Sequence, residues 1–453
     1  MPTLTGPSHS PRVFTMKSAG ERYARSEAYL DRARRVVPLG SQTFSKSITQ
    51  YPVGVSPLAV THGKGSRVWD VDGHEYIDFV SALLAISLGY ADPDVNQAVT
   101  EQLALGTILS LPHPLEAEVA ELICECVPSA EMVRFGKNGS DATAGAVRLA
   151  RAYTSRDHVL VCGYHGWQDW YIGSTARNRG VPEAIRALTH AFPYNDLPAL
   201  EALMRDLDGK VACVVLEPMN VAWPKPGYLE GVRQLCTKAN ALLVFDETIT
   251  GFRFAKGGAQ ELFGIRPDLT TLGKGLANGF PLSAVCGPRD IMMLMEEIFF
   301  SFTQGGETLS LAAAKATINK ICRKPVIETI AERGKRLMTG LASLIESEKL
   351  GDVITVSGHP SWSFLNVADT PKTTSWATKT LFLQEMFARG ILVLTTHNIS
   401  YAHTEADIDR LLHVYHEVLP LVHRAAVEGQ IDKYLLVRPL QPLFRVRGEA
   451  KPA

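Results

Sequence analysis

Between Ser66 and Phe79 the chain reads SRVWDVDGHEYIDF, with apolar and polar side chains alternating around Asp72-Gly73. A period of two with turn residues at its midpoint predicts a β-hairpin. Ahead of it, residues 21–37 carry a helical pattern. From about residue 93 helical stretches alternate with short apolar runs: HVLVCG (158–163), VACVVLEP (211–218), ALLVFDE (241–247) and LTTLGKG (269–275). Unbroken runs of this length fit strands buried on both faces. Interleaved with helices, they predict an α/β fold with a mainly parallel central sheet and helices on both faces. After about residue 325 the texture changes. A helix, IETIAERGKRLMTGLASLIESE, precedes short strands, DVITVSG and GILVLTT, and a last helix, EADIDRLLHVYHEVLPLVHRA. This predicts a smaller α+β domain. The expected division is 1–75 as an N-terminal arm and part of the small domain, 76–325 as the large domain, and 326–453 as the C-terminal small domain with a tail.

The chain's 453 residues exceed one ordinary domain core, which agrees with that division. The net charge of −1 argues against a general nucleic-acid or membrane-surface partner and leaves room for a local basic pocket. The seven cysteines are scattered, and Cys124-Glu125-Cys126 lacks a second pair, so no metal site is expected. A reducing, cytoplasmic setting is the natural expectation. The longest apolar stretch, about 79–88, is short of the roughly 20 residues a bilayer needs. The N-terminal segment has no apolar core of a secretory signal. Its Ser/Thr-rich, basic character permits a transit peptide, and a disordered or partner-clasping arm is the expectation.

Candidate chemistry begins at TLGKGLANGFP (271–281), where Lys274 sits between two glycines. The spacing G-x-G-x-x-x-G is one residue off a dinucleotide loop, and GKNGSDAT (136–143) is not in Walker A order. In the latter, small residues precede an expected helix, Ala142–Tyr153. They make either an ordinary N-cap or an anion site of free N–H groups and a hydroxyl. Asp246 ends the apolar run ALLVFD, and Lys274 follows another short strand 28 positions later. Ligands of such sheets lie beyond the carboxyl ends of strands, so both residues can face one crevice. A buried Asp–Lys ion pair is the plain alternative. Tyr164-His165-Gly166-Trp167 follows a further strand, and LEPMN (216–220) ends yet another with a carboxylate and an amide. Anion cradle, stacking aromatic, buried carboxylate and lysine together suit a planar, phosphorylated pyridine that carries an aldehyde. That is pyridoxal 5′-phosphate (PLP), whose aldehyde condenses with Lys274 Nζ while Asp246 keeps the ring nitrogen protonated. Gly275 is expected to leave space around that bond.

These motifs resemble the class III (ω-type) aminotransferases of fold type I, and most closely their glutamate-1-semialdehyde aminomutase-like branch. GSRVWDVDGHEYIDF, EMVRFGKNGSDATAGAVRLARAYT, YHGW, LLVFDETITGFR, PDLTTLGKGLANGFPLSAVCG and TQGGETLSLAA fall in family order between about residues 25 and 425. The resemblance implies that Lys274 is the Schiff-base lysine and general acid/base, and that Asp246 pairs with the pyridine nitrogen. It implies that Tyr164 stacks on the ring with His165 beside it, that Gly139 and Ser140 hold the phosphate, and that Asn220 contacts the phenolic oxygen. Thr303 would reach the cofactor of a neighbouring subunit, so a homodimer is implied. The substrates would be a small-molecule amino donor and a carbonyl acceptor.

The chain departs from the family pattern in three places. The phosphate loop reads Asn138-Gly139-Ser140-Asp141 where Ser-Gly-Thr-Glu is usual. GILVLTTHNISYAHTEADIDR offers no arginine before Arg410, although many members grip a substrate carboxylate with one there. Lys46, in GSQTFSKSI (40–48), stands where the aminomutase branch has an arginine, and a lysine is a point charge rather than a fork. The expected activity is therefore external transamination by a ping-pong mechanism, with a keto-sugar as a plausible acceptor. A 2,1-aminomutase is the first alternative and a non-catalytic PLP-binding module the second.

Overall fold

A computed structural model describes residues 20–441. The expectations for the arm before residue 20 and for the tail at 442–453 lie outside the described residues. The predicted hairpin forms from β2 (Arg67–Asp70) and β3 (Glu75–Asp78), with β1 (Val60–Lys64) added antiparallel to β2.

The central sheet has seven strands: β4 (Met132–Gly136), β5 (His158–Cys162), β6 (Thr189–Ala191), β7 (Val211–Leu216), β8 (Leu242–Asp246), β9 (Leu269–Leu272) and β10 (Ser283–Gly287). Their spatial order is β4-β10-β9-β8-β7-β5-β6. Pairings from β6 through β9 are parallel, whereas β10 runs antiparallel to both β9 and β4. The four apolar runs became β5, β7, β8 and β9. Alternate side chains along them serve opposite faces. Cys213 and Val215 pack with Ala146, Val147 and Ala150 of α1 (Gly139–Thr154). Val214 and Leu216 pack with Leu229, Val232 and Cys236 of α2 (Tyr228–Ala239) on the other side. Each fully buried Val, Leu or Phe contributes about 1.5–3 kcal/mol of burial, which is why runs without a polar member stay in the middle of the sheet.

A smaller sheet consists of β11 (Ile354–His359), β12 (Trp362–Val367) and β14 (Thr396–His397). GILVLTT, expected as one strand, is broken by Thr395, whose φ is +78°. Its first half, β13 (Ile391–Leu392), leaves to pair in parallel with β3, so the two ends of the chain share a sheet. Helices α3 (Thr308–Arg323), α4 (Val326–Ser347), α5 (Ser375–Ala388) and α6 (Glu405–Glu428) follow the central sheet in sequence. None of the described helices is long and apolar enough to cross a membrane.

Candidate active site

The site forms where β5, β7, β8 and β9 end. The chain leaves β9 at Gly273 and turns sharply at Lys274, whose φ of +44° lies in the left-handed region. A non-glycine residue there costs about 1–2 kcal/mol, and such strain is kept only where the surroundings hold it. Asn278 supplies that hold. Its Oδ1 accepts from the Ser87 and Leu88 amides at 3.0 and 2.9 Å, and its Nδ2 donates to the Gly89 carbonyl at 3.0 Å. Gly275 also has a role in packing the loop itself. A Cβ there would lie 2.4 Å from Ser87 Oγ, so the glycine permits close approach of two loops. The wall opposite is unusual too. Ser81, Ala82, Leu83 and Leu84 all have positive φ, a left-handed turn of L-residues. Asp78 Oδ1 holds its start by accepting from Val80 N and Ser81 N at 2.7 and 3.1 Å.

Asp246, at the end of β8, is buried. It accepts from His165 Nδ1 at 2.8 Å, Thr271 Oγ1 at 3.0 Å and Thr248 N at 3.1 Å. Burial alone would raise its pKa, but the His165 hydrogen bond and charge, with Thr248, outweigh that and hold it below the ordinary carboxylate value. His165 Nε2 faces the Cys162 carbonyl at 3.2 Å. Tyr164 leaves its ring half exposed beside this pair, edge-on to Tyr171 with centroids 5.6 Å apart.

Glu217, one residue past β7, is a second buried carboxylate here. Its Oε2 accepts from Tyr164 N at 3.1 Å and from Asn220 Nδ2 at 2.8 Å. Burial pushes its pKa up and Asp246 adds to that, opposed by His165, the Tyr164 amide and Lys274. Among the described residues Lys274 has no hydrogen-bonded counter-ion. Burial pushes its pKa below the ordinary lysine value; Glu217 and Asp246 oppose the shift, and Arg253 adds to it. A lysine whose ammonium is disfavoured by burial can act as a nucleophile and proton carrier.

The anion cradle starts earlier than expected. α1 begins at Gly139, because Asn138 Oδ1 accepts from Asp141 N while the Asp141 carboxylate takes the Asn138 amide. Gly139 and Ser140 are thus its first-turn residues, whose N–H groups have no carbonyl one turn back. Ser140 Oγ accepts from Trp167 N at 3.2 Å, fastening the Tyr164–Trp167 turn to the cradle. Thr248 joins the cradle to the lysine loop. Its methyl lies 3.1 and 3.2 Å from where Cβ atoms on Gly139 and Gly273 would stand. Its hydroxyl is buried without a hydrogen-bond partner, as is that of Ser283 at the start of β10. Orphaned donors beside unhindered glycines, below an exposed aromatic ring and next to an ionised carboxylate, fit a flat phosphorylated ligand.

Lys274, Asp246, Tyr164, His165 and Asn220 therefore converge, with Gly139 and Ser140 joined to them through Thr248. Thr303 is exposed in the loop ahead of α3. The loop is tied to the cradle by an ion pair of 3.1 Å between Lys137 and Glu307, the N-cap of α3. Lys46 is exposed and lines a neighbouring cavity of about 440 Å³ with Asp78, Tyr51, Tyr90 and Ala82. Sequence reasoning missed Thr248, whose signal was only a polar residue two places after Asp246, and did not separate Glu217 from its neighbours.

A fold of this topology with a lysine and a carboxylate at the sheet's edge defines a PLP enzyme of fold type I. Residues 50–411 match the family described as Aminotransferase class-III. The chain is 36% identical over 397 residues to glutamate-1-semialdehyde 2,1-aminomutase 2 of Brevibacillus brevis (strain 47 / JCM 6285 / NBRC 100599), covering 81% of this chain and 92% of that one. It is 32% identical over 413 residues to 3-aminobutyryl-CoA aminotransferase of Cloacimonas acidaminovorans (strain Evry), covering 89% and 98%. Among solved structures, the PLP internal aldimine form of the FumI protein of Sphingopyxis sp. MTA144 superposes with a TM-score of 0.82. It shares 29% identity, over 89% of this chain and 97% of that one. The chain belongs to the class III aminotransferase family. It is an enzyme, and its cofactor is pyridoxal 5′-phosphate.

Proposed function

We propose that this aminotransferase moves an amino group from a small-molecule donor to an external carbonyl acceptor, in two half-reactions. The acceptor is larger than glutamate semialdehyde and held partly through hydroxyls, as a keto-sugar would be. The observation that carries this is that neither place where the resemblance expects a carboxylate-binding arginine holds one. Among the described residues no arginine lies between Arg389 and Arg410, and Arg410 is exposed on α6. Lys46 is exposed and offers a point charge only.

When bound, the cofactor supplies an aldehyde and an electron-withdrawing pyridinium. This chain's residues do the rest. Lys274 Nζ engages the aldehyde and carries the proton to and from the substrate carbon. Asp246 holds the ring-nitrogen proton, and His165 holds Asp246 charged and oriented. Tyr164 would stack on the ring, Gly139 and Ser140 would hold the phosphate, and Asn220 would face the phenolic oxygen. The partner subunit's Thr303 would complete the phosphate site of a cytoplasmic homodimer. The division at residues 75 and 325 belongs to the same proposal.

A second activity, intramolecular 2,1-amino transfer, is favoured by the 36% identity to the Brevibacillus aminomutase. Incubation with ¹⁵N-glutamate or another labelled donor, and either keto-sugars or glutamate-1-semialdehyde, decides between them. Label in the product supports transfer. Complete isomerisation of the semialdehyde without label uptake installs the aminomutase.

A further inference from the structure

The cysteines are scattered along the sequence, yet two of them meet in the fold. Cys126 Sγ and Cys322 Sγ lie 3.7 Å apart. Both are free thiols, Cys322 exposed and Cys126 partly buried. Cys126 is the last residue of the helix Pro114–Cys126, and Cys322 is the last but one of α3. The two helices lie side by side and run the same way. At their starts, a Cβ on Gly306, just ahead of α3, would stand 2.5 Å from Glu116 Oε1. Farther on, Lys315 Nζ pairs with Glu118 Oε2 at 2.6 Å. The thiols follow about two turns further along each helix. Val119 and Ile123 share one core with Ile318 and Ile321. The register of two packed helices therefore brings the sulfurs together, rather than the turn of one side chain.

We propose that Cys126 and Cys322 form a redox site: a dithiol that a low-molecular-weight disulfide, such as oxidised glutathione, converts into an intrachain disulfide clamping the two helix ends together. The exposed Cys322 thiolate attacks one sulfur of the oxidant, whose other half leaves as a thiolate and takes a proton. The Cys126 thiolate then attacks Cys322 Sγ, and the second half of the oxidant leaves in the same way. The cysteines give up two electrons and two protons, and the oxidant gains both. Burial holds the Cys126 thiol up, so Cys322 reacts first; capping Cys322 removes the part of that rise that its own thiolate causes. The bond draws the sulfurs to about 2 Å, and both sit where a helix ends and the backbone yields most readily. In a reducing compartment such a pair rests as thiols, and its disulfide is a transient response to oxidant. At its other end α3 is already fastened, through Glu307 and Lys137, to the phosphate cradle. The disulfide would fasten both ends.

The test is incubation of the PLP-loaded full chain with oxidised glutathione, followed by an acid quench, alkylation of the unfolded chain and peptide mass mapping without reductant. The wild type is expected to lose two of its seven alkylatable thiols. It is expected to yield one pair of peptides joined through Cys126 and Cys322, from a chain that stays single on a non-reducing gel. Dithiothreitol is expected to restore both thiols. Cys126→Ser is expected to stop at a mixed disulfide of Cys322 with glutathione, and Cys124→Ser to behave as the wild type does. Oxidation is expected to raise the thermal midpoint of the wild type and to leave that of Cys322→Ser where it was. A wild-type chain that keeps all its thiols, stops at the mixed disulfide, joins Cys322 to Cys124 or links two chains overturns the proposal. So does a Cys126–Cys322 bond that forms without moving the thermal midpoint, since it then clamps nothing.

Discussion

Replacing Asp246 by asparagine keeps the shape of the site and removes one charge. Thr271 Oγ1 and Thr248 N can still donate to the amide oxygen, since both already donate to a single oxygen, Oδ1. The new NH₂ would meet His165 Nδ1 at the former Oδ2 position, so the imidazole must give up that hydrogen and accept, keeping Nε2–H on the Cys162 carbonyl. The hydrogen bonds are kept and the carboxylate's charge is removed. The loss falls on the cofactor, whose ring nitrogen no longer faces an anion. An adjacent opposite charge is worth about 1–3 pKa units, or about 1.4–4 kcal/mol. Proton abstraction from the donor should slow by at least tenfold, a cost of about 1.4 kcal/mol. The assay is a single-turnover half-reaction, followed by the absorbance of the bound cofactor with excess amino donor, beside the PLP affinity. A fall of less than tenfold would make Asp246 a structural partner only. Stability supplies an independent check of the charge. The folded-state pKa of Asp246 is depressed, so its contribution is present above the ordinary carboxylate pKa and lost as pH falls through the folded value. The stability gap between wild type and Asp246→Asn should therefore close on acidification below about pH 4.

Borohydride reduction followed by peptide mapping should label Lys274, and Lys274→Ala should bind PLP without that covalent link; label elsewhere refutes the assignment. Gly275→Ala places a Cβ 2.4 Å from Ser87 Oγ. It should cost about 1–3 kcal/mol in urea denaturation, with much of that recovered in the double variant carrying Ser87→Ala, and an additive pair would refute the clash. Thr248→Val removes a buried hydroxyl that has no partner. It should leave the cofactor-free protein as stable or about 1 kcal/mol more stable, while weakening PLP binding about fivefold, the worth of one hydrogen bond; equal PLP affinity would show that the hydroxyl never meets the cofactor.

The parts of the fold legible in the sequence were those with one strong local cause. Runs such as VACVV and LLVF can only be strands buried on both faces, and Asp246 and Lys274 were placed by their position at strand ends. MVRFG, THA and SAVCG carry no such pattern, being short, small or mixed, and became β4, β6 and β10 through pairing with neighbours. Asn138 and Asp141 held the information for the true start of α1, but a reciprocal cap is visible only when Asp is accepted in the place of Glu. Thr248 and Ser87 were beyond reach for another reason. Each matters through what lies across from it, at sequence distances that no local window spans.

The single antiparallel strand sets how tightly the lysine's position is gauged. In parallel pairs a long crossover absorbs extra residues. Here the chain leaves β9 at Leu272 and comes back with Ala284 directly opposite it. Ala284 and Cys286 serve one core and Val285 the other, so a one-residue insertion between Gly273 and Leu282 would exchange the two sets or drag Lys274 along the sheet. The loop has a fixed length, like a ruler clamped at both ends. Variants that change what the enzyme accepts should accumulate in the walls around the lysine, while the count of residues from Leu272 to Ala284 stays the same.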